Sequence, residues 1–261
     1  LRGSGEVIFG GTSSAGIVSS SAAGSTLDIA AGILIHGTRH GTVGAAALGL
    51  ANHGTIKADA SGMTITVTGT NWTNDGTLWA NTGTLTTAGS WSSSGASDLI
   101  QVDATGTLNL GGTFTTSAIS GNVTRATGST VNLVNTLDLA TGSYDLGAAG
   151  NIGSLVLLNN AAVQNGTLLT TNATSATLAS FANVTFTGVT LGNGTANSGN
   201  VTANNGADLF IGSGGLDLNA GKITLNDQGS TTTLTLLGNG TQQLRGSGEV
   251  IFGGTSSAGI V

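Results

Sequence analysis

Residues Leu1 to Val18 read LRGSGEVIFGGTSSAGIV, and Leu244 to Val261 repeat them without a substitution, which sets an internal period of 243 residues. A period of this kind constrains the fold before any local propensity does, because a repeated unit is built to stack on copies of itself. The chain therefore reads as one repeat unit, residues 1–243, followed by the start of the next identical repeat, residues 244–261. The partner this implies is the adjacent repeat of the same protein, stacked end to end. An artificial duplication of one end would give the same pattern.

A shorter, degenerate period lies inside the long one. Asn52-His53-Gly54-Thr55-Ile56-Lys57-Ala58 returns as Asn74-Asp75-Gly76-Thr77-Leu78-Trp79-Ala80, an offset of 22. Ala104-Thr105-Gly106 returns as Ala126-Thr127-Gly128 at the same offset, while Asn165-Gly166-Thr167, Asn193-Gly194-Thr195 and Asn239-Gly240-Thr241 are spaced by 28 and 46. Between these turns the chain alternates apolar with polar residues, as in Leu27-Asp28-Ile29, Met63 to Val67, Leu108-Asn109-Leu110, Leu137-Asp138-Leu139, Leu216-Asp217-Leu218, Ile223-Thr224-Leu225 and Leu234-Thr235-Leu236. Alternation of period two puts one side of each strand inward and the other in solvent.

Charged residues make up 7% of the chain against a norm of about 25%. With 45 glycines and no proline, the remaining Thr, Ser, Asn and aliphatic residues supply strand formers and turn formers but few strong helix formers. The expected fold is all-β. Short strands at a near-constant spacing of about 22 residues predict a parallel β-solenoid, with about 11 coils per 243-residue repeat and a length of roughly 50 Å at one strand spacing per coil. A run of β-sandwiches would instead show sub-units near 100 residues and prolines at edges.

The Gly-Thr-aliphatic cadence, the Asn-Gly turns and phrases such as Gly3-Ser4-Gly5-Glu6-Val7-Ile8-Phe9-Gly10-Gly11 resemble the β-helical shafts of filamentous-haemagglutinin-like and autotransporter-like bacterial surface proteins. The resemblance spans the whole chain. It implies a secreted, right-handed β-helix at the cell surface or outside the cell, serving as stalk or adhesin.

The net charge of -6 and six scattered cations, Arg2, Arg39, Lys57, Arg125, Lys222 and Arg245, argue against nucleic acid as a partner, since counterion release needs clustered positive charge. No stretch approaches the ~20 apolar residues of a transmembrane segment, and none reads as a signal peptide, an absence of little weight in a segment of an array. Without cysteine, the redox compartment cannot be read.

Candidate sites are few, and the expectation is no enzyme, no catalytic residue and no cofactor. His36-Gly37-Thr38-Arg39-His40-Gly41, with His53 beyond, is the densest polar cluster, and reads as a solvated Gly-flanked turn rather than a metal site. Asp208 and Asp217, nine apart, echo the calcium-binding nonapeptide of repeats-in-toxin proteins, but Ala203 and Asn204 replace the paired glycines of the first copy, and Ser213 and Asn219 depart from the second. They are weak calcium candidates. Trp72, Trp79 and Trp91 fall in one short stretch and are the possible glycan contact; the plainer reading is core filling. Thr64-Ile65-Thr66, Thr84-Leu85-Thr86 and Thr185-Phe186-Thr187 resemble ice-binding rows without a fixed coil spacing. Asn-x-Ser/Thr occurs at Asn71, Asn122, Asn165, Asn172, Asn183, Asn193, Asn200 and Asn239, as such a composition produces by itself.

The expected function is structural: an extracellular fibre or stalk of tandem solenoid repeats, for adhesion or filament formation. The alternatives are a carbohydrate-active enzyme, which would need clustered carboxylates on one face, and a glycan-binding module.

Overall fold

A computed structural model describes residues 1–12, 15–19, 22, 24–93, 95, 98–238, 241–255 and 258–260. The Asn-Gly turn at Asn239 and parts of both copies of the 18-residue segment lie outside the described residues. The chain forms two compact units, Leu1–Val131 and Asn132–Val261.

In the first unit, each circuit of the chain lays down three short strands, and each strand pairs in parallel with the strand one circuit later. One stack is Ser4–Phe9, Gly32–Gly37, Thr55–Ala58, Thr77–Ala80, Leu99–Val102 and Val123–Arg125. A second runs from Ala15–Val18 through His40–Gly44, the first halves of Thr64–Asn74 and Thr84–Ser92, to Thr107–Leu110. The third begins with Thr26–Ile29 and Gly49–Asn52, uses the second halves of the same two long strands, and reaches Thr113–Thr115. A single 3-10 turn at Thr116–Ile119 is the helical element here.

The second unit repeats the plan. Leu155–Leu157, Ala176–Leu178, Asn200–Ala203, Lys222–Asp227 and Glu249–Gly254 form one stack. Thr136–Asp138, the first half of Ala162–Leu169, the first half of Asn183–Leu191, Asp208–Ile211, Thr232–Leu236 and Ala258–Ile260 form another. Ser143–Asp145, the second halves of the two long strands, Leu216–Leu218 and Leu244–Gly246 form the third.

This is the parallel β-solenoid the alternation predicts, with about ten turns. The strands obey the alternation residue by residue. In Thr55–Ala58 and Thr77–Ala80, Ile56, Ala58, Leu78 and Ala80 are buried, while Lys57 and Trp79 point outward. One circuit therefore buries aliphatic side chains directly above those of the last, at roughly 25 cal/mol for each Å² of apolar surface removed from water. The 22-residue offset read from the sequence is the pairing register itself: Thr55 faces Thr77, and Thr77 faces Leu99. Elsewhere the corners lengthen the circuit, to 28 residues between Ser4 and its partner Gly32. This is why the turns number about ten.

One corner depends on glycine. Gly89 and Gly112 both sit at φ 75°. A Cβ on Gly89 would collide with the carbonyl oxygen of Gly69, and one on Gly112 with that of Gly89. Successive circuits thus approach backbone to backbone there, in a conformation that L side chains rarely adopt.

Candidate functional site

The tryptophans divide by strand parity. Trp72 and Trp91 occupy inward positions of their long strands, face one another in register and are 0% and 5% exposed. Their rings stack at 5.3 Å between centroids, and Trp91 continues onto Phe114 at 4.9 Å. Each indole N–H is satisfied, that of Trp72 by Ala88 O at 2.8 Å and that of Trp91 by Gly111 O at 3.0 Å. Sugar stacking needs an open ring face, so the expectation of a glycan contact at Trp72 and Trp91 is corrected: both are core.

Trp79 is the outward one. Lys57, one circuit earlier, holds its ammonium 4.2 Å from the Trp79 ring centroid, a cation–π contact. The Trp79 indole N–H donates to Asp103 Oδ2 at 2.9 Å, as do the Asn81 amide to the same oxygen at 2.6 Å and the Gln101 amide to Asp103 Oδ1 at 2.9 Å. Gln101, and after it Asn81, Trp79 and the charge of Lys57, hold the Asp103 carboxyl below its usual range despite the opposing effect of burial.

The histidines do not form a loop cluster. His36 is next to last in one strand and His40 begins the next, across the turn at Thr38 and Arg39. His36 Nδ1 lies 2.8 Å from Asp59 Oδ2, and its Nε2 lies 3.7 Å from Glu6 Oε2. His53 stands in the same relation to Asp28 and Asp75, at 3.8 and 3.7 Å. Thr64 N–H donates to His40 Nδ1 at 3.0 Å. Two imidazoles are thus held between carboxylates of the preceding and following circuits. The signal was present in the short period, where His53 and Asp75 occupy the same place in consecutive copies. Among the described residues, no three His, Asp or Glu side chains gather as a metal site.

Asp208 and Asp217 lie on different stacks. Asp208 faces Asn183 and Thr233 and accepts a short hydrogen bond from the Thr233 hydroxyl. Asp217 pairs with Arg245, Nε to Oδ2 at 3.7 Å. Each therefore has a partner in a neighbouring circuit. Asp145 is bound more tightly: although burial works against its charge, the Thr171 hydroxyl and the N–H groups of Thr171 and Gly147 hold it below the usual carboxylate range. For Asp138 the burial effect is likewise outweighed, by Ala140 N–H and the amides of Gln164 and Asn165. Burial, reinforced by Asp145, pushes the Tyr144 phenol up.

The threonine pairs do stack locally: Thr64 and Thr66 face Thr84 and Thr86, with Thr107 and Thr42 extending the two columns. In the second unit Thr185 instead lies between Ala162 and Phe210, so no long row forms.

Sequence reasoning missed a groove in the second unit. The loops carrying Thr171 and Asn172, and Asn193, Thr195 and Asn197, enclose about 450 Å³ with Asn200, and among the described residues no charged side chain lines it. The Asn200 Oδ1 atom there is buried without a hydrogen-bond partner. Its amide group donates to Asn197 O at 3.1 Å. Hydroxyls and amides in an uncharged cleft suit a neutral polar ligand better than an ion.

No helix among the described residues is long and apolar enough to cross a membrane. Comparison with protein-family models, with curated proteins and with solved structures found no match.

Proposed function

We propose that this chain is a segment of a structural fibre or stalk, made of tandem 243-residue solenoid repeats and displayed outside the cell as an adhesin shaft or filament. The observation that carries this reading is the unaltered recurrence of residues 1–18 at 244–261 in a fold whose turns are themselves stacking units. Interactions spread along the chain support it too. Carboxylates such as Asp59, Asp103, Asp145 and Asp217 each find partners in a neighbouring circuit, a pattern suited to holding turns together rather than to acid–base catalysis at one place. The resemblance to filamentous-haemagglutinin-like and autotransporter-like shafts belongs to the same proposal.

Denaturing mass determination on the natural material, beside negative-stain microscopy, tests it. A mass many times that of one repeat, with thin rods, is the expected result. Compact particles without filaments would rule the fibre out.

A second reading, a glycan-binding module, draws support from the uncharged groove around Asn200 and from outward Trp79. Retention on immobilised glycans that is lost in Trp79→Ala or Asn200→Ala would favour it.

A further inference from the structure

The two copies of the 18-residue segment sit in different surroundings, and each shows what the other lacks. In the first copy, Ser4–Phe9 is followed by the strand Gly32–Gly37, with Val7 facing Ile35 and Phe9 facing Gly37. Ala15–Val18 is followed by His40–Gly44, with Gly16 facing Gly41. In the second copy, Glu249–Gly254 is preceded by Lys222–Asp227, with Val250 facing Ile223 and Phe252 facing Leu225. Ala258–Ile260 is preceded by Thr232–Leu236, with Gly259 facing Thr233. Inward and outward positions agree between the copies, since Val7 and Val250 both face buried isoleucines.

The phenylalanine reports the difference. Phe9 is 5% exposed, and its ring fills a slot floored by Gly16 and roofed by Gly41, where a Cβ on either glycine would strike the ring. Its counterpart Phe252 is 58% exposed, and nothing lies within 4 Å of a Cβ built on Gly259, the counterpart of Gly16. The slot is half built at the second copy.

We propose that successive repeats are joined by one shared turn: residues 244–261 of a repeat, which are residues 1–18 of the next, rest on Lys222–Asp227 and Thr232–Leu236 below and are covered by the next repeat's Gly32–Gly37 and His40–Gly44 above. This rests on the tandem-array reading. At the seam Phe252 turns into a slot formed by Gly259 and Gly41 of the following repeat. The outward polar side chains then form one column. Lys222 Nζ lies 3.8 Å from Glu249 Oε2, and the identical Glu6 lies 3.7 Å from His36, which touches Asp59. The shared glutamate thus sits between Lys222 of one repeat and His36 of the next, and the solenoid continues through the junction without a hinge.

The same geometry disfavours end-to-end polymerisation of separate 261-residue copies. Docking the first circuit of a free copy onto the last circuit of another lays identical strands on each other. Glu6 then stands over Glu249 and Arg2 over Arg245, and like charges directly opposite are destabilising. Gly16 is already covered by Phe9, so Phe252 finds no slot.

The test is a two-repeat protein, residues 1–243 followed by 1–261, into which cysteine pairs are placed; the native sequence has no cysteine to interfere. Ile251 faces Thr224, and the identical Ile8 faces His36, all at outward positions. Directly opposed positions in neighbouring strands lie within disulfide range. Thr224→Cys with Ile251→Cys reads the lower contact, and Ile251→Cys with His36→Cys of the second repeat reads the upper. Near-complete loss of free thiol in both variants is expected. Crosslinking in one and not the other means the repeats meet at a hinge, and overturns the proposal. Sedimentation of the 261-residue chain should show a monomer, and end-to-end oligomers would overturn the mismatch of like ends. Compact native particles alongside both crosslinks would count against the fibre and leave the shared turn standing.

Discussion

Asn52 donates its side-chain amide to Asn74 Oδ1 at 2.7 Å across one circuit of the solenoid, with both residues fully buried. Asn74 in turn donates to Gly76 O and Ser93 Oγ, both at 3.2 Å, and Ser93 passes the chain to Asp98 at 2.7 Å. A polar ladder therefore runs inside a corner of the first unit, where the apolar columns stop. The Asn52 amide and both ends of the Asn74 side chain are tolerated here because they find partners, while Asn52 Oδ1 is buried without one, and such groups become costly when a partner goes.

Asn74→Ala should lower stability by about 1–3 kcal/mol, since it strands the Asn52 amide in the interior. Urea unfolding with an unchanged slope and a lower midpoint checks this. The double variant Asn52→Ala, Asn74→Ala should cost less than the two single variants summed, because they share one interaction.

Trp91→Ala removes the middle ring of the Trp72–Trp91–Phe114 stack and should cost about 3–5 kcal/mol. Trp79→Ala, at an outward position, should cost less than Trp91→Ala, about 1–2 kcal/mol for an exposed cation–π contact together with the indole hydrogen bond to Asp103. In the native chain acrylamide should quench the emission of Trp79 and leave that of the other two shielded.

Asp103, Asp138 and Asp145 have carboxyls held below their ordinary range in the folded state. A depressed folded value means that the unfolded chain binds protons first. Their contribution is present above the ordinary carboxylate range and is lost as pH falls through the folded values. Chemical-denaturation midpoints followed downward from neutral pH should drop through the acid range, with a shallower drop in Asp145→Asn.

Gly89→Ala should destabilise by at least about 1–2 kcal/mol, the cost of the left-handed backbone alone, with the collision against Gly69 O added. Gly62, also at positive φ but open on all sides, should bear alanine at the conformational cost only. Thermal melts of the pair separate the two terms.

Much of this architecture is legible in the residues. Thr55-Ile56-Lys57-Ala58 and Thr77-Leu78-Trp79-Ala80 declare inward and outward sides, and their offset is the register. Trp72 faces inward although alternation counted from Thr64 puts it outward, because Asn71, at φ 50°, breaks the alternation just before it. That break is a backbone feature the residue pattern does not show. The carboxylate–histidine columns and the groove around Asn200 assemble from residues more than twenty positions apart, brought together by corners of unequal length. Local pattern has no access to those lengths.

The unequal circuits have a mechanical meaning. A step of 21 residues from Leu34 to Thr55 and one of 28 from Ser4 to Gly32 add one rung each to the same ladder, so surplus residues bulge sideways at the corners. Reach along the axis is then counted in rungs, at about 4.8 Å apiece. Insertions and deletions at a corner can change what the flank offers to its surroundings while the distance spanned stays the same.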